Sequence, residues 1–218
     1  AVDDEASLRR AVAEIGYPCV LKTRTLGYDG HGQAVLRGEE DLPKALPLLA
    51  VPCILEQFVR FDYEASIVLV RDAGGRTIHF PVGRNIHRDG ILDLCIVPAA
   101  MPAELLERLV GASERFMAGC GYTGILAIEY FIRGDEFYFN EMAPRPHNSG
   151  HYTIEGCTTN QFREWARYLL RQELEEPRLA APTVMKNILG QDLEAAERIA
   201  REGGEGVHVH LYGKTVSK

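Results

Sequence analysis

The chain has 218 residues, 46% of them hydrophobic and 25% charged, and a net charge of -7. This is ordinary soluble globular composition, enough for one large domain or two small ones, and the acidic balance weighs against non-specific nucleic-acid binding. No apolar run approaches the roughly 18 residues that a membrane span requires, and no signal-peptide pattern opens the chain.

The acidic start of "AVDDEASLRRAVAEIGYP" leads into a helix pattern with Leu8, Val12 and Ile15 on one face. "PCVLKT" (18–23) reads as a short apolar strand containing Lys22, "RTLGYDGHGQ" (24–33) as a glycine-rich loop, and "AVLR" as the strand resuming. "GEEDLPKALPLLA" (38–50) is a helix interrupted by prolines, and "CILEQFV" (53–59) a buried strand. "EASIVLVRDAGGRTIHFPV" (64–82) is a hairpin around an Asp-Ala-Gly-Gly turn. "PAELLERLVGASERFMAGCG" (102–121) is the strongest helix, with Leu105, Leu106, Leu109 and Phe116 on one face and Gly121 as its stop. "GILAIEYFIRGDEFYFNEMA" (124–143) is a second hairpin, turning at Arg133-Gly134-Asp135. "TTNQFREWARYLLR" (158–171) is a helix expected to turn Trp165 and Leu169 inward, with Trp165 in the core. "HVHLY" is strand-like, and its alternating His208 and His210 lack a third ligand, so they and His79 are read as structural.

Hairpins with packed helices indicate an α+β fold. The five cysteines, Cys19, Cys53, Cys95, Cys120 and Cys157, show neither metal-ligand pairing nor a disulfide framework. They read as reduced, buried thiols of a cytoplasmic protein with no membrane partner. With no initiator Met and no closing element, the chain is expected to be the middle of a longer protein.

Three stretches carry chemistry. Gly27, Gly30 and Gly32 allow a tight turn that aims backbone N–H groups at phosphate, with Lys22 as a point charge from the sheet; a generous hairpin turn would use the same residues. Glu129 and Glu141 fall near a common level on two strands of one hairpin. Beside Asn140 they offer the hard oxygen ligands that suit Mg²⁺. Two glutamates on a solvent-facing strand are the alternative, and the pairing favours metal. In "ILEQFVRFDYEAS", the backbone of Glu56, Gln57, Phe58 and Val59 could read a purine edge and Glu64 the ribose hydroxyls; a plain strand and linker would look alike.

The order of these features resembles the ATP-grasp enzymes. Within them, "LKTRTLGYDGHGQ", "EQFVRFDYEASIVLVR", "NIHRDGIL", "NEMAPRPHNSGH" and "HLYGK" resemble the 5-(carboxyamino)imidazole ribonucleotide synthetases of purine biosynthesis, from Gly16 to Lys214. The resemblance implies two ATP-grasp lobes of antiparallel sheet with packed helices, 1–60 and 61–181, and part of a small β-rich C-terminal domain, 182–218. It implies ATP phosphates at Lys22 and the loop Gly27, Tyr28, Asp29, Gly30, His31, Gly32 and Gln33, adenine at Glu56–Val59, ribose at Glu64, and a further nucleotide contact at His87. Mg²⁺ would sit on Glu129 and Glu141 with help from Asn140. Tyr28, Asp29, Arg145, His147, Asn148 and Lys214 would shape the pocket for aminoimidazole ribonucleotide and bicarbonate-derived groups. An ATP-dependent ligase, homodimeric when complete, follows; a sister ligase using formate or an amino-acid carboxylate, or a nucleotide-binding module without catalysis, are its rivals. His31 stands where that family more usually has Arg or Lys. The family's N-terminal domain and its basic segment after "YGK" have no counterpart in this sequence, so the chain alone is expected to be inactive.

Overall fold

The computed structural model describes residues 1–25 and 31–213. The chain forms two compact units, residues 1–60 with 88–91, and residues 61–87 with the chain from 92 onward.

The first unit starts with helix α1 (Glu5–Ile15). A capping box opens it: the Asp4 carboxylate accepts from the Ser7 N–H at 2.7 Å, and the Ser7 hydroxyl accepts from the Asp4 N–H at 3.0 Å. Leu8 and Val12 are buried, while Ile15 at the helix end is partly exposed. Strands β1 (Cys19–Thr23), β2 (Gln33–Leu36) and β3 (Cys53–Gln57) form an antiparallel sheet in the order β2-β1-β3. The helix expected over 38–50 is a broken one. A 3₁₀ turn (Glu39–Asp41), helix α2 (Leu42–Ala45) and a second 3₁₀ turn (Leu46–Ala50) follow one another. Each proline falls in a first turn, where its missing N–H has no partner to lose. Leu8, Leu21, Leu36, Leu42 and Leu55 share one core.

The second unit is built on a seven-stranded sheet. Its strands are β4 (Tyr63–Arg71), β5 (Thr77–His79), β6 (Gly83–Arg88), β7 (Ile91–Val97), β8 (Gly124–Arg133), β9 (Glu136–Ala143) and β10 (Thr183–Lys186). The order is β10-β7-β6-β4-β8-β9, with β5 also on β4. Strand β4 pairs antiparallel with β8 along its whole length. Helix α3 (Ala103–Gly119) covers one face, where Ile67, Leu69, Leu105, Leu109, Ile128 and Tyr130 pack together. Gly121 ends this segment at φ 62°, a conformation that glycine enters without a Cβ penalty. Val68, Phe80, Ile125, Ala127, Tyr152 and Leu174 form the core on the opposite face. The helices after β9 are α4 (Thr153–Gly156), α5 (Gln161–Leu169) and α6 (Leu193–Glu202).

Four features differ from expectation. Trp165 and Leu169 do not face inward: they are 38% and 60% exposed, and Trp165 is not core. The inner positions of α5 belong to Gln161 and Glu164, both 0% exposed. Glu164 is satisfied there by the Thr159 hydroxyl and the Glu175 N–H, so a polar network displaces the aromatic face. The hairpin of β6 and β7 was not marked by periodicity. Strand β10 pairs with β7 and joins the large sheet, with Thr183 opposite Val97. Residues 208–212, expected as strand, lie outside any ladder. His210 is instead held by Glu155 at 2.9 Å, and His79 lies 3.3 Å from the Phe80 carbonyl. No helix among the described residues is long and apolar enough to cross a membrane.

Candidate functional site

In the first unit, β1 places Lys22 opposite Gln33 of β2 and opposite Ile54 of β3. The Lys22 ammonium lies 2.8 Å from the Glu56 carboxylate, so two expected nucleotide residues form an ion pair. Gln57 ends β3, and the Phe58 N–H donates to the Pro18 carbonyl at 3.2 Å. That anchors the start of the segment expected to read adenine. Gly32 has φ 75°, and its carbonyl accepts from the Thr23 N–H at 2.8 Å. His31 is exposed. Gly27, Tyr28, Asp29, Gly30 and Lys214 lie outside the described residues.

The second unit brings together most of the remaining candidates. Glu129 of β8 stands opposite Ser66 of β4 on one side and Glu141 of β9 on the other. Glu64 is opposite Asn85, and paired residues point to the same face. Glu64, Ser66, Asn85, Glu129 and Glu141 therefore make a polar stripe on the face away from α3. His87, two residues beyond Asn85 on β6, joins it: its Nδ1 is hydrogen-bonded to Glu64 and its Nε2 lies 3.9 Å from Glu129. Beyond β9, His147 Nδ1 comes within 3.7 Å of Glu129 Oε1. Among the described residues, ligand atoms of Glu129, Glu141 and His147 lie within 4.8 Å of one another.

The electrostatics follow from burial. Glu129 is 5% exposed, and desolvation pushes its carboxyl up to about 7. His87 opposes that rise, while Glu141 and Glu64 add to it. For His87 burial favours the neutral ring, yet the bond to Glu64 and the charges of Glu64, Glu129 and Glu141 outweigh it and raise its pKa. His147 goes the other way: burial, with Arg145, His151 and His87 nearby, lowers it to about 4. His147 is therefore neutral at pH 7, and its approach to Glu129 is not an ion pair. Its Nδ1 accepts from the Ser149 N–H at 3.4 Å and lies 2.9 Å from the Ser149 hydroxyl.

A buried carboxylate held near neutrality by its surroundings, with a second carboxylate directly opposite, is a site short of positive charge. Its donors, two carboxylates and an imidazole, fit a divalent cation such as Mg²⁺. Arg145, exposed on the loop after β9, donates to the Pro146 carbonyl at 3.1 Å. The Asn148 side chain accepts from the Ser149 N–H at 2.9 Å. Ser66 and Asn85 were missed in the sequence, although Glu64/Ser66 and Asn85/His87 are each polar residues spaced two apart on a strand. Asn85 is 3% exposed; its Oδ1 accepts from Ser66 at 3.2 Å and its Nδ2 has no hydrogen-bond partner among the described residues.

Residues 1–162 match the family described as the ATP-grasp domain, and residues 183–218 match the phosphoribosylaminoimidazole carboxylase C-terminal domain. The chain is 42% identical to an N5-carboxyaminoimidazole ribonucleotide synthase of Pseudomonas aeruginosa, over 98% of this chain and 58% of that protein. A crystal structure of an N5-carboxyaminoimidazole ribonucleotide synthetase with ADP superposes with a TM-score of 0.93 and 44% identity, covering 100% of this chain and 58% of that one. An Aspergillus clavatus N5-carboxyaminoimidazole synthase, solved with ADP and 5-aminoimidazole ribonucleotide, gives a TM-score of 0.81 and 27% identity over 91% of this chain and 55% of its own. The chain thus spans less than two thirds of these relatives. On the match over residues 1–162, the chain belongs to the ATP-grasp family, and the relatives it resembles are synthases of N5-carboxyaminoimidazole ribonucleotide.

Proposed function

We propose that this chain serves the ATP- and bicarbonate-dependent carboxylation of the amine of 5-aminoimidazole ribonucleotide, a step of purine biosynthesis. The observation that carries the reading is the opposition of Glu129 and Glu141 beside His147, on a chain this similar to the synthases. When bound, Mg²⁺ would neutralise the ATP phosphate oxygens. Glu129 and Glu141 would hold it, with Asn140 beside them. Lys22 and the loop Gly27–Gln33 would bind the phosphates, Glu56–Val59 the adenine, and Glu64 the ribose, with His87 as a further nucleotide contact. Asp29, Arg145, His147, Asn148 and Lys214 would hold the ribonucleotide and the bicarbonate-derived group.

A bicarbonate oxygen attacks the γ-phosphorus and ADP leaves, giving carboxyphosphate. That breaks to CO₂ and phosphate, and the substrate amine adds to CO₂ with loss of one proton. Arg145 suits this chemistry because a guanidinium can take two oxygens of a phosphate or carboxylate at once. The domain division at 60 and 181, the homodimer and the cytoplasmic location belong to the same reading. Sedimentation of the complete protein tests the dimer. Labelled bicarbonate tests the reaction: label in the ribonucleotide product with one phosphate released per turnover is expected. Incorporation of formate or an amino acid instead, or ATP binding without turnover, would replace the reading.

A further inference from the structure

Gln161 is the first residue of α5, is fully buried, and has no role in the assignments above. The Asn160 side chain caps the helix, accepting from the N–H groups of Phe162 at 3.1 Å and Arg163 at 2.9 Å. Gln161 is thereby left to serve a different segment. Its Oε1 accepts from the His147 N–H at 2.9 Å, and its Nε2 donates to the His147 carbonyl at 2.7 Å. One side chain thus holds both backbone polar groups of one residue. The anchor is itself fixed: the Gln161 N–H donates to the Thr153 hydroxyl at 3.1 Å, which donates to the Gly150 carbonyl at 2.6 Å. Gly150 leaves the room this needs, since a Cβ there would lie 2.6 Å from Gln161 Oε1.

Bonds made by a fully buried amide are costly to break, because the separated Gln161 group is left without water. The residue held is the one whose ring reaches the carboxylate pair. Ser149 meets the His147 ring and the Gly150 N–H donates to the His147 carbonyl at 3.0 Å, while Gln161 holds the N–H as well as that carbonyl; a rotation of this peptide would swing the imidazole relative to Glu129 and Glu141.

We propose that Gln161 is the positioning residue of this centre: by clamping the N–H and C=O of His147 it fixes the imidazole beside Glu129 and Glu141, and so sets the site's affinity for a divalent cation. The inference rests on the metal reading of Glu129 and Glu141 and adds His147 to that centre, and it does not depend on the identity of the second substrate.

The test compares the chain with its Gln161→Met, His147→Ala and doubly substituted variants, using Mn²⁺ as the probe. Amide exchange at His147 should rise about 100-fold in Gln161→Met, while strand amides such as Ile128 keep their protection. Mn²⁺ affinity, read by electron paramagnetic resonance, should fall about tenfold in either single variant and no further in the double, since both remove the same interaction. Gln161→Glu, which keeps the acceptor for the His147 N–H and loses the donor, should lie between wild type and Gln161→Met, and stands in if the methionine variant does not fold. Unchanged exchange at His147, unchanged Mn²⁺ affinity despite a released loop, or losses that multiply in the double variant would each overturn the proposal. Failure of the wild-type chain to bind Mn²⁺ while its His147 amide stays protected would sink the metal reading and this role together. A failed carboxylation assay with intact Mn²⁺ coupling would sink only the reaction.

Discussion

Glu129 and Glu141 oppose one another because β9 carries one extra residue. From the turn, Arg133 pairs with Glu136 and Tyr130 with Phe139, but Glu129 then pairs with Glu141, leaving Asn140 as a bulge. An unbroken ladder would set Asn140 against Glu129 and Glu141 against Ile128, whose side chain belongs to the core under α3. The bulge lets Phe139 pack near Phe116, centroids 5.6 Å apart, while Glu141 joins Glu129 on the other face.

Deleting Asn140 is therefore expected to preserve the opposition, since the strand on either side keeps its register. Mn²⁺ binding should survive, weakened less than by Glu141→Gln. Loss as complete as in Glu141→Gln would show that Asn140 is itself a ligand.

Glu141→Gln removes one of two anionic ligands at little steric cost. In the complete enzyme, metal-dependent ATP turnover should fall by about 100-fold or more, with the melting temperature within a few degrees of wild type. Near wild-type turnover would remove Glu141 from the metal site.

Glu129 makes stability depend on pH in a defined direction. Its folded pKa of about 7 lies above the ordinary 4.5, so the folded state favours the neutral acid. That contribution is full below pH 4.5 and is lost as pH rises to about 7. Without metal, Glu129→Gln should gain on wild type between pH 5 and pH 8, by up to about 3 kcal/mol. Melting in chelator at the two pH values measures it. A gap that stays constant or narrows would show that the carboxyl is not held neutral.

Gly150→Ala puts a methyl group 2.6 Å from Gln161 Oε1, an atom already committed to the His147 N–H. The glutamine cannot yield without breaking its bonds, so a loss of about 1–3 kcal/mol is expected by denaturant titration. A neutral result would mean that the loop shifts freely.

Contrary to the expectation of five buried thiols, Cys120 is exposed; Cys19, Cys53, Cys95 and Cys157 are buried, and burial raises the Cys95 thiol to about 12 and Cys157 to about 11. Alkylation of the native chain should label Cys120 first, with the other four reacting only on unfolding. Equal labelling of Cys95 would contradict its burial.

Much of this was legible in the sequence because it is local. Gly134 between aromatic runs marks the β8–β9 turn, the acidic start before the Leu8–Val12 periodicity marks α1, and motif order marks the family. These depend on neighbours a few residues apart, where propensity, capping and turn geometry act directly. The amphipathic reading of α5 failed for the complementary reason: Gln161 and Glu164 are polar by composition and buried only because partners at His147, Thr159 and Glu175 satisfy them. Likewise Glu129 and Glu141 are visible as carboxylates in the sequence, but the bulge at Asn140 and the loop carrying His147 decide that they meet. Long-range hydrogen bonds and register shifts add no periodicity to the chain, so only the tertiary structure reveals them.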